Sequence, residues 1–177
     1  MAKLVTKALQ CSFPHLFEAY AAVPGAAEKH SVTLLIDKAD TEMINKINEV
    51  ADKAIEEGVS KKFGGKMPSK SSIKPVLKDG DEKDREEFKG KWLLTCSSAT
   101  APEVVDKDLN PIYDKDAIVG GDYIRVSINF SAYNVGGQKD VSCYLQNVQL
   151  VKKTDKPFGS KSSASSDFAT NNNKDFM

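Results

Sequence analysis

Tyr123, Arg125, Asn129 and Tyr133 occupy odd-numbered positions of one run, Tyr123 to Tyr133. Its even-numbered positions, Ile124, Val126, Ile128, Phe130 and Ala132, are apolar. Alternation with a period of two puts one set in a core and leaves the other in water. The wet set joins flat rings to a guanidinium and an amide. Flat rings stack on unpaired bases at roughly 1–3 kcal/mol per base, and cations follow phosphates. More cations lie between Ser60 and Lys78, which holds Lys61, Lys62, Lys66, Lys70, Lys74 and Lys78, no acidic residue, and the breakers Gly64, Gly65, Pro68 and Pro75. The stretch reads as a long basic loop, and a loop of that length in a compact domain is functional or disordered. Lys91 and Lys139 join these lysines as candidate phosphate contacts. Trp92 shares its alternation with Leu94 and Cys96, which points it to a core, whereas Tyr144 shares a face with Gln146, Val148 and Leu150; both are undecided candidates. With no nucleic acid, the same features describe an ordinary solvent-facing strand, since tyrosine is common in strands.

Other chemistries find no support. No G-x-x-x-x-G-K-[ST], G-x-G-x-x-G or G-x-S-x-G motif is present. Cys11, Cys96 and Cys143 are odd in number and widely spaced, without a C-x-x-C pair, so they read as reduced packing residues. His15 and His30 have no Cys or Asp at triad-like spacing and read as structural or surface residues. The acidic run Asp79 to Glu87 reads as a solvated loop balancing the lysines beside it rather than as a nuclease metal site. Basic and acidic side chains number 25 each, and only Arg85 and Arg125 are arginines. Lysine is a mobile point charge rather than the rigid fork that reads base edges. These features point to a binder with little sequence preference, not an enzyme, with no cofactor or metal.

The 177 residues, 40% of them hydrophobic, suit one domain with appendages. No apolar run approaches the roughly 18 to 20 residues of a spanning helix. The N-terminus lacks a secretory h-region, so a cytosolic location is expected. Leu4 to Ala22 reads as an irregular strand leading into a loop, Pro24-Gly25 as a turn, and His30 to Asp37 as a buried strand. Asp40 or Thr41 can cap a helix of about 16 to 18 residues carrying Ile44, Ile47, Val50, Ala51, Ala54 and Ile55, with Gly58 stopping the pattern. Lys91 to Ser97 is a further strand, and Ala101 to Gly121 a connector. Tyr123 to Tyr133, Gly136-Gly137 and Val141 to Val151 form a hairpin. After Lys153 the chain turns Ser-, Asn- and Lys-rich with isolated Phe158, Phe168 and Phe176, which divides it into a domain (1–153) and a flexible, disordered C-terminal tail (154–177). Roughly five strands and one principal helix make the fold mainly β, a small barrel or sandwich. An OB-fold is compatible, and periodicity does not separate it from other small β folds.

Several blocks occur in a recognisable order: His30-Ser31-Val32-Thr33-Leu34-Leu35-Ile36-Asp37-Lys38, then Pro75-Val76-Leu77-Lys78-Asp79-Gly80-Asp81-Glu82, Phe88-Lys89-Gly90-Lys91-Trp92 and Ala101-Pro102-Glu103-Val104-Val105-Asp106. Gly121 to Asn134 and Leu145-Gln146-Asn147-Val148-Gln149 complete them. The chain resembles, over about residues 10 to 152, the bacteriophage single-stranded-DNA-binding protein family. The resemblance implies an OB-fold, a five-stranded Greek-key barrel with long loops. It implies a non-catalytic phage protein that coats and protects single-stranded DNA during replication or recombination, in the cytoplasm of the infected bacterial host. Distant relatives dimerise and recruit replication enzymes through an acidic C-terminal tail, which implies a homodimer and phage or host replication and recombination proteins as partners. Two departures stand out. From Ser162 onward Asp167 and Asp175 face only Lys174, so the tail is scarcely acidic, and Lys139-Asp140 replaces the small residues more usual before the last strand. The alternatives are an RNA-binding or strand-annealing protein on the same scaffold, or a non-catalytic structural or adaptor protein of the phage particle.

Overall fold

The computed structural model describes residues 2–21, 23–159 and Phe168. Among the described residues, eight strands and one long helix follow in chain order: β1 (Ala2–Val5), β2 (Leu9–Tyr20), β3 (Lys29–Asp37), α1 (Thr41–Lys61), β4 (Lys78–Asp79), β5 (Lys91–Ser98), β6 (Glu103–Val105), β7 (Tyr123–Val135) and β8 (Gln138–Lys152). Five of them close a ring, β2–β3–β5–β8–β7 and back to β2. Numbered along the chain, the ring order is 1-2-3-5-4-1, with the β5–β8 contact parallel and the other ring pairs antiparallel. This is the Greek-key barrel of the OB-fold.

The even-numbered residues of β7 fill the barrel: Ile124, Ile128 and Phe130 are wholly buried. Val32, Leu34 and Ile36 of β3, Leu94 and Cys96 of β5, and Leu145 and Val148 of β8 meet them. Helix α1 buries Met43, Ile47, Ala51 and Ala54 against the same core. Asp40 is its N-cap, accepting from the Met43 amide at 3.2 Å. The helix spans 21 residues and runs through Gly58 rather than stopping there. Gly58 is buried against β7, where a Cβ would overlap that of Ala132, so close approach outweighs a propensity cost of about 1 kcal/mol.

The first segment is two strands rather than one strand and a loop. β1 pairs with β7 from Ala2↔Phe130 to Val5↔Ser127, a long-range ladder that local composition does not reveal. Pro14 is accommodated because the β2–β3 register breaks between Ser12 and His15. The acidic run differs from expectation as well. Asp79 and Asp81 accept from Lys38 Nζ at 2.7 and 2.6 Å, not from the lysines of the loop before them. Asp79 also accepts from the Asp81 amide, and Asp81 from the Gly90 amide. A Cβ on Gly80 would collide with the carbonyls of Phe88 and Lys91. Asp79-Gly80-Asp81 thus folds residues 80–90 into a compact arm. The chain also remains packed beyond residue 153: Thr154 donates to Asp122 and Phe158 to the Gly120 carbonyl. Of the expected tail at 154–177, residues 160–177 lie outside the described residues, Phe168 excepted.

Candidate nucleic-acid interface

Because Val32, Leu34 and Ile36 point inward, Ser31, Thr33 and Leu35 of β3 point outward. Thr95 and Leu93 of β5 are their neighbours across the pairs Thr33↔Thr95 and Leu35↔Leu93. The two threonine hydroxyls meet at 3.1 Å. The outer wall of the second and third ring strands is the face with which OB-folds take up oligonucleotides. Here a shallow cavity of about 430 Å³ opens on it, lined by Phe13, Thr33, Lys78, Lys83, Asp84, Arg85, Phe88, Leu93 and Thr95.

Three side chains give this face its chemistry. Phe13 sits at the β2 irregularity with φ of 50°, a left-handed conformation that costs a non-glycine residue about 1–2 kcal/mol, and its ring is 44% exposed. Phe88, carried by the arm, is buried with Leu35 and Leu93 and meets Phe13 edge-on, centroids 6.2 Å apart. The Arg85 guanidinium lies 4.4 Å from the Phe13 ring centre and donates to Glu87 at 3.0 Å. An exposed ring, a guanidinium stacked on it and two nearby lysines can hold a base and its phosphates. At the end of β2, Tyr20 is 52% exposed and stacks on His15 at 4.2 Å with 7° between the planes.

The residues expected from sequence are distributed around the barrel. Tyr144 is 40% exposed and continues the outer wall, paired with Ser97 of β5 on one side and Asn129 of β7 on the other. Tyr144 and Asn129 are therefore brought together. Tyr133 faces outward, but its hydroxyl donates to the buried Asp140 at 3.2 Å; burial, and then that carboxylate, raise its pKa. Asp140 also accepts from the Lys74 amide at 2.8 Å and from Gln138. Arg125 donates to the Thr6 carbonyl and to Gln149, and Tyr123 pairs with Gln10 and Lys152 at the far end of β7. Trp92 points inward, half-buried against the core, with Lys38 Nζ 4.9 Å from its ring centre. Lys91 pairs with Asp37.

The expected lysine loop is in part helix. Lys61 ends α1, and Lys62 caps it through its amide to Gly58. Both are exposed, as are Lys66 and Lys74, and Lys70 opens a short 3₁₀ turn. Asn134 donates to the Lys62 carbonyl, and Lys139 Nζ lies 5.7 Å from the Phe63 ring centre. The end of α1 and the β7–β8 hairpin thereby form a second basic cluster, next to Tyr133.

Phe13, Arg85 and Phe88 were absent from the sequence-derived candidates. A usable signal existed in each case: Phe13-Pro14 interrupts a strand-like run, and Arg85, one of two arginines, stands three residues before an aromatic inside an acidic stretch. All three cysteines are free, and burial pushes the Cys11 and Cys143 thiols up to about 12, which makes them poor nucleophiles. Among the described residues no cluster of His, Cys, Asp and Glu could hold a metal ion, and no helix is long and apolar enough to cross a membrane.

The chain is similar to a solved structure described as the single-stranded DNA-binding protein from bacteriophage Enc34 in complex with ssDNA, with TM-score 0.75 and 25% identity over 89% of this chain and 90% of that one. The crystal structure of gp2.5, a single-stranded DNA-binding protein encoded by bacteriophage T7, aligns with TM-score 0.60 over 96% of both chains, and at 15% identity it supports the fold alone. A putative protein p50 of Acyrthosiphon pisum secondary endosymbiont phage 1 is 29% identical over 161 residues, covering 86% of this chain and 85% of its own. The family described as Enterobacter phage Enc34, ssDNA-binding protein, matches residues 2–177. With the ring order, the open outer wall and this end-to-end match together, the chain belongs to the Enc34 family of phage single-stranded-DNA-binding proteins, a non-catalytic family.

Proposed function

We propose that this protein binds single-stranded DNA across the outer wall of β3 and β5. It coats and protects the strand during phage replication or recombination in the cytoplasm of the infected bacterium. The observation that carries the reading is the Phe13–Arg85–Phe88 group on the outer barrel wall, an exposed ring with a guanidinium at 4.4 Å. Unpaired bases stack on Phe13, while Arg85, Lys78 and Lys83 follow the phosphates; Tyr144 and Asn129 extend the track toward β8 and β7. The lysines at the end of α1 and at the β7–β8 hairpin add attraction of longer range. Every base has a π-face, so stacking of this kind tolerates sequence. Duplex is disfavoured because its bases are already stacked.

The test is fluorescence anisotropy with labelled single-stranded DNA, duplex DNA and RNA of one sequence, at two salt concentrations. Tighter binding of the DNA single strand than of duplex or RNA is the expected result, with log K falling against log salt at a slope of roughly −3 to −4 for four to six neutralised phosphates. Equal affinity for duplex would refute the reading, and preference for RNA would turn it to the alternative polymer.

A further inference from the structure

The chain is not released at the end of β8. Asp122 is wholly buried, and its carboxylate accepts from the Val119 and Thr154 amides at 2.9 Å each and pairs with Lys153. Four residues after Thr154, Phe158 donates its amide to the Gly120 carbonyl at 2.9 Å. Phe158 then packs, half-buried, against the cluster that Leu35, Phe88 and Leu93 form. A Cβ on Gly120 would meet Phe158 at an ordinary contact distance of 3.6 Å, whereas one on Gly121, at φ +105°, would crowd Thr154 at 3.0 Å.

This cluster is separate from the barrel interior. Leu35 and Leu93 point outward and share one buried cluster with Phe88, and Phe158 closes against that cluster. Phe88 in turn is the buried anchor of the 80–90 arm and touches Phe13. We propose that Phe158 is a positioning residue of the DNA face. It wedges under Phe88 and holds the arm at the height where Phe13 and Arg85 can engage a base. The proposal rests on the DNA-binding reading above. It makes residues 153–159 part of the binding architecture, and Asp122 the anchor that sets where the wedge sits.

The experiment compares the full-length protein with Phe158→Ala, Phe158→Leu, Phe88→Ala, Phe13→Ala and the double variant Phe88→Ala/Phe158→Ala. Ile47→Val, in the core beneath α1, is the control for loss of stability alone. Affinity for an oligo-dT probe is measured at two salt concentrations, beside thermal unfolding. Phe158→Ala should weaken binding about tenfold and flatten the salt slope by about 0.7 for each phosphate contact of Arg85 or Lys83 that is lost with the arm. Phe158→Leu should restore most of the affinity, and the double variant should bind no more weakly than Phe88→Ala. Ile47→Val should lower Tm and leave affinity intact. If Phe13→Ala and Phe88→Ala weaken binding while Phe158→Ala does not, or if the double variant loses the sum of both effects, the wedge is refuted and the DNA face stands. If none of the single variants changes affinity, the DNA face itself is misplaced and the wedge falls with it.

Discussion

Replacing Phe13 by alanine and by glycine separates the strain of its backbone from the use of its ring. At φ of 50°, followed by Pro14, the residue is in a region that both its own Cβ and the proline disfavour. Alanine retains that strain, of about 1–2 kcal/mol, and loses the edge contact with Phe88 and the stacked Arg85 guanidinium, together worth about 1–2.5 kcal/mol. Glycine loses the same contacts, relieves the strain, and costs roughly 0.5–1 kcal/mol in unfolded-state entropy. The glycine variant should therefore be more stable than the alanine variant by about 0.5–1 kcal/mol, the reverse of the usual order in a strand. Both should lose one base stack, roughly 1–3 kcal/mol of DNA affinity or about 5- to 150-fold in Kd. Urea denaturation and anisotropy titration on the two variants supply both numbers. A glycine variant no more stable than the alanine one would refute the strain, and wild-type affinity in both would remove Phe13 from the DNA path.

Phe130→Ala, at a wholly buried position of β7, should cost about 3–5 kcal/mol in chemical denaturation while the folded fraction still binds DNA. Tyr133→Phe should keep affinity within about twofold but lose about 0.5–1.5 kcal/mol of stability with its bond to Asp140. Gly80→Ala should weaken DNA binding by displacing the arm, because the carbonyls of Phe88 and Lys91 occupy the space its Cβ needs; a binding-competent Gly80→Ala protein would contradict the placement of Arg85 and Phe88. Hydrogen bonds from Lys38 hold Asp79 and Asp81 below the ordinary 3.8, and Asp79 first, then Asp81, raise Lys38 above 10.5. The carboxylates' contribution is present above 3.8 and lost as pH falls through their lowered values, and that of Lys38 is present below 10.5 and lost as pH rises through its raised one. Lys38→Met should flatten both limbs of a stability–pH profile, and unchanged limbs would show that the cluster adds nothing to folding.

Period-two alternation from Tyr123 to Tyr133, the apolar spacing of α1 and the Gly136-Gly137 turn are local signals. Each reports one element's own inside and outside, and the structure keeps all three. The order of blocks along the chain was enough to indicate the Greek-key barrel, because a family's strand order travels with its motifs. Sequence alone could not decide which wet face matters, since every strand of a barrel has one. The outward side of β7 is partly committed: Arg125 is held by Thr6 and Tyr133 by Asp140. The face with an exposed ring is assembled from a strand irregularity at Phe13, an arm at 80–90 and the outer sides of β3 and β5, segments far apart in sequence. Lys38, Asp79 and Asp81 build that arm only after β5 has taken up β3 on one edge and β4 on the other, so a run of acidic residues that reads as solvated becomes a scaffold. Alternation is written in neighbouring residues and survives without the fold, whereas the pairing of Phe13 with Arg85 and Phe88 exists only once the barrel has closed and brought β2 beneath the arm.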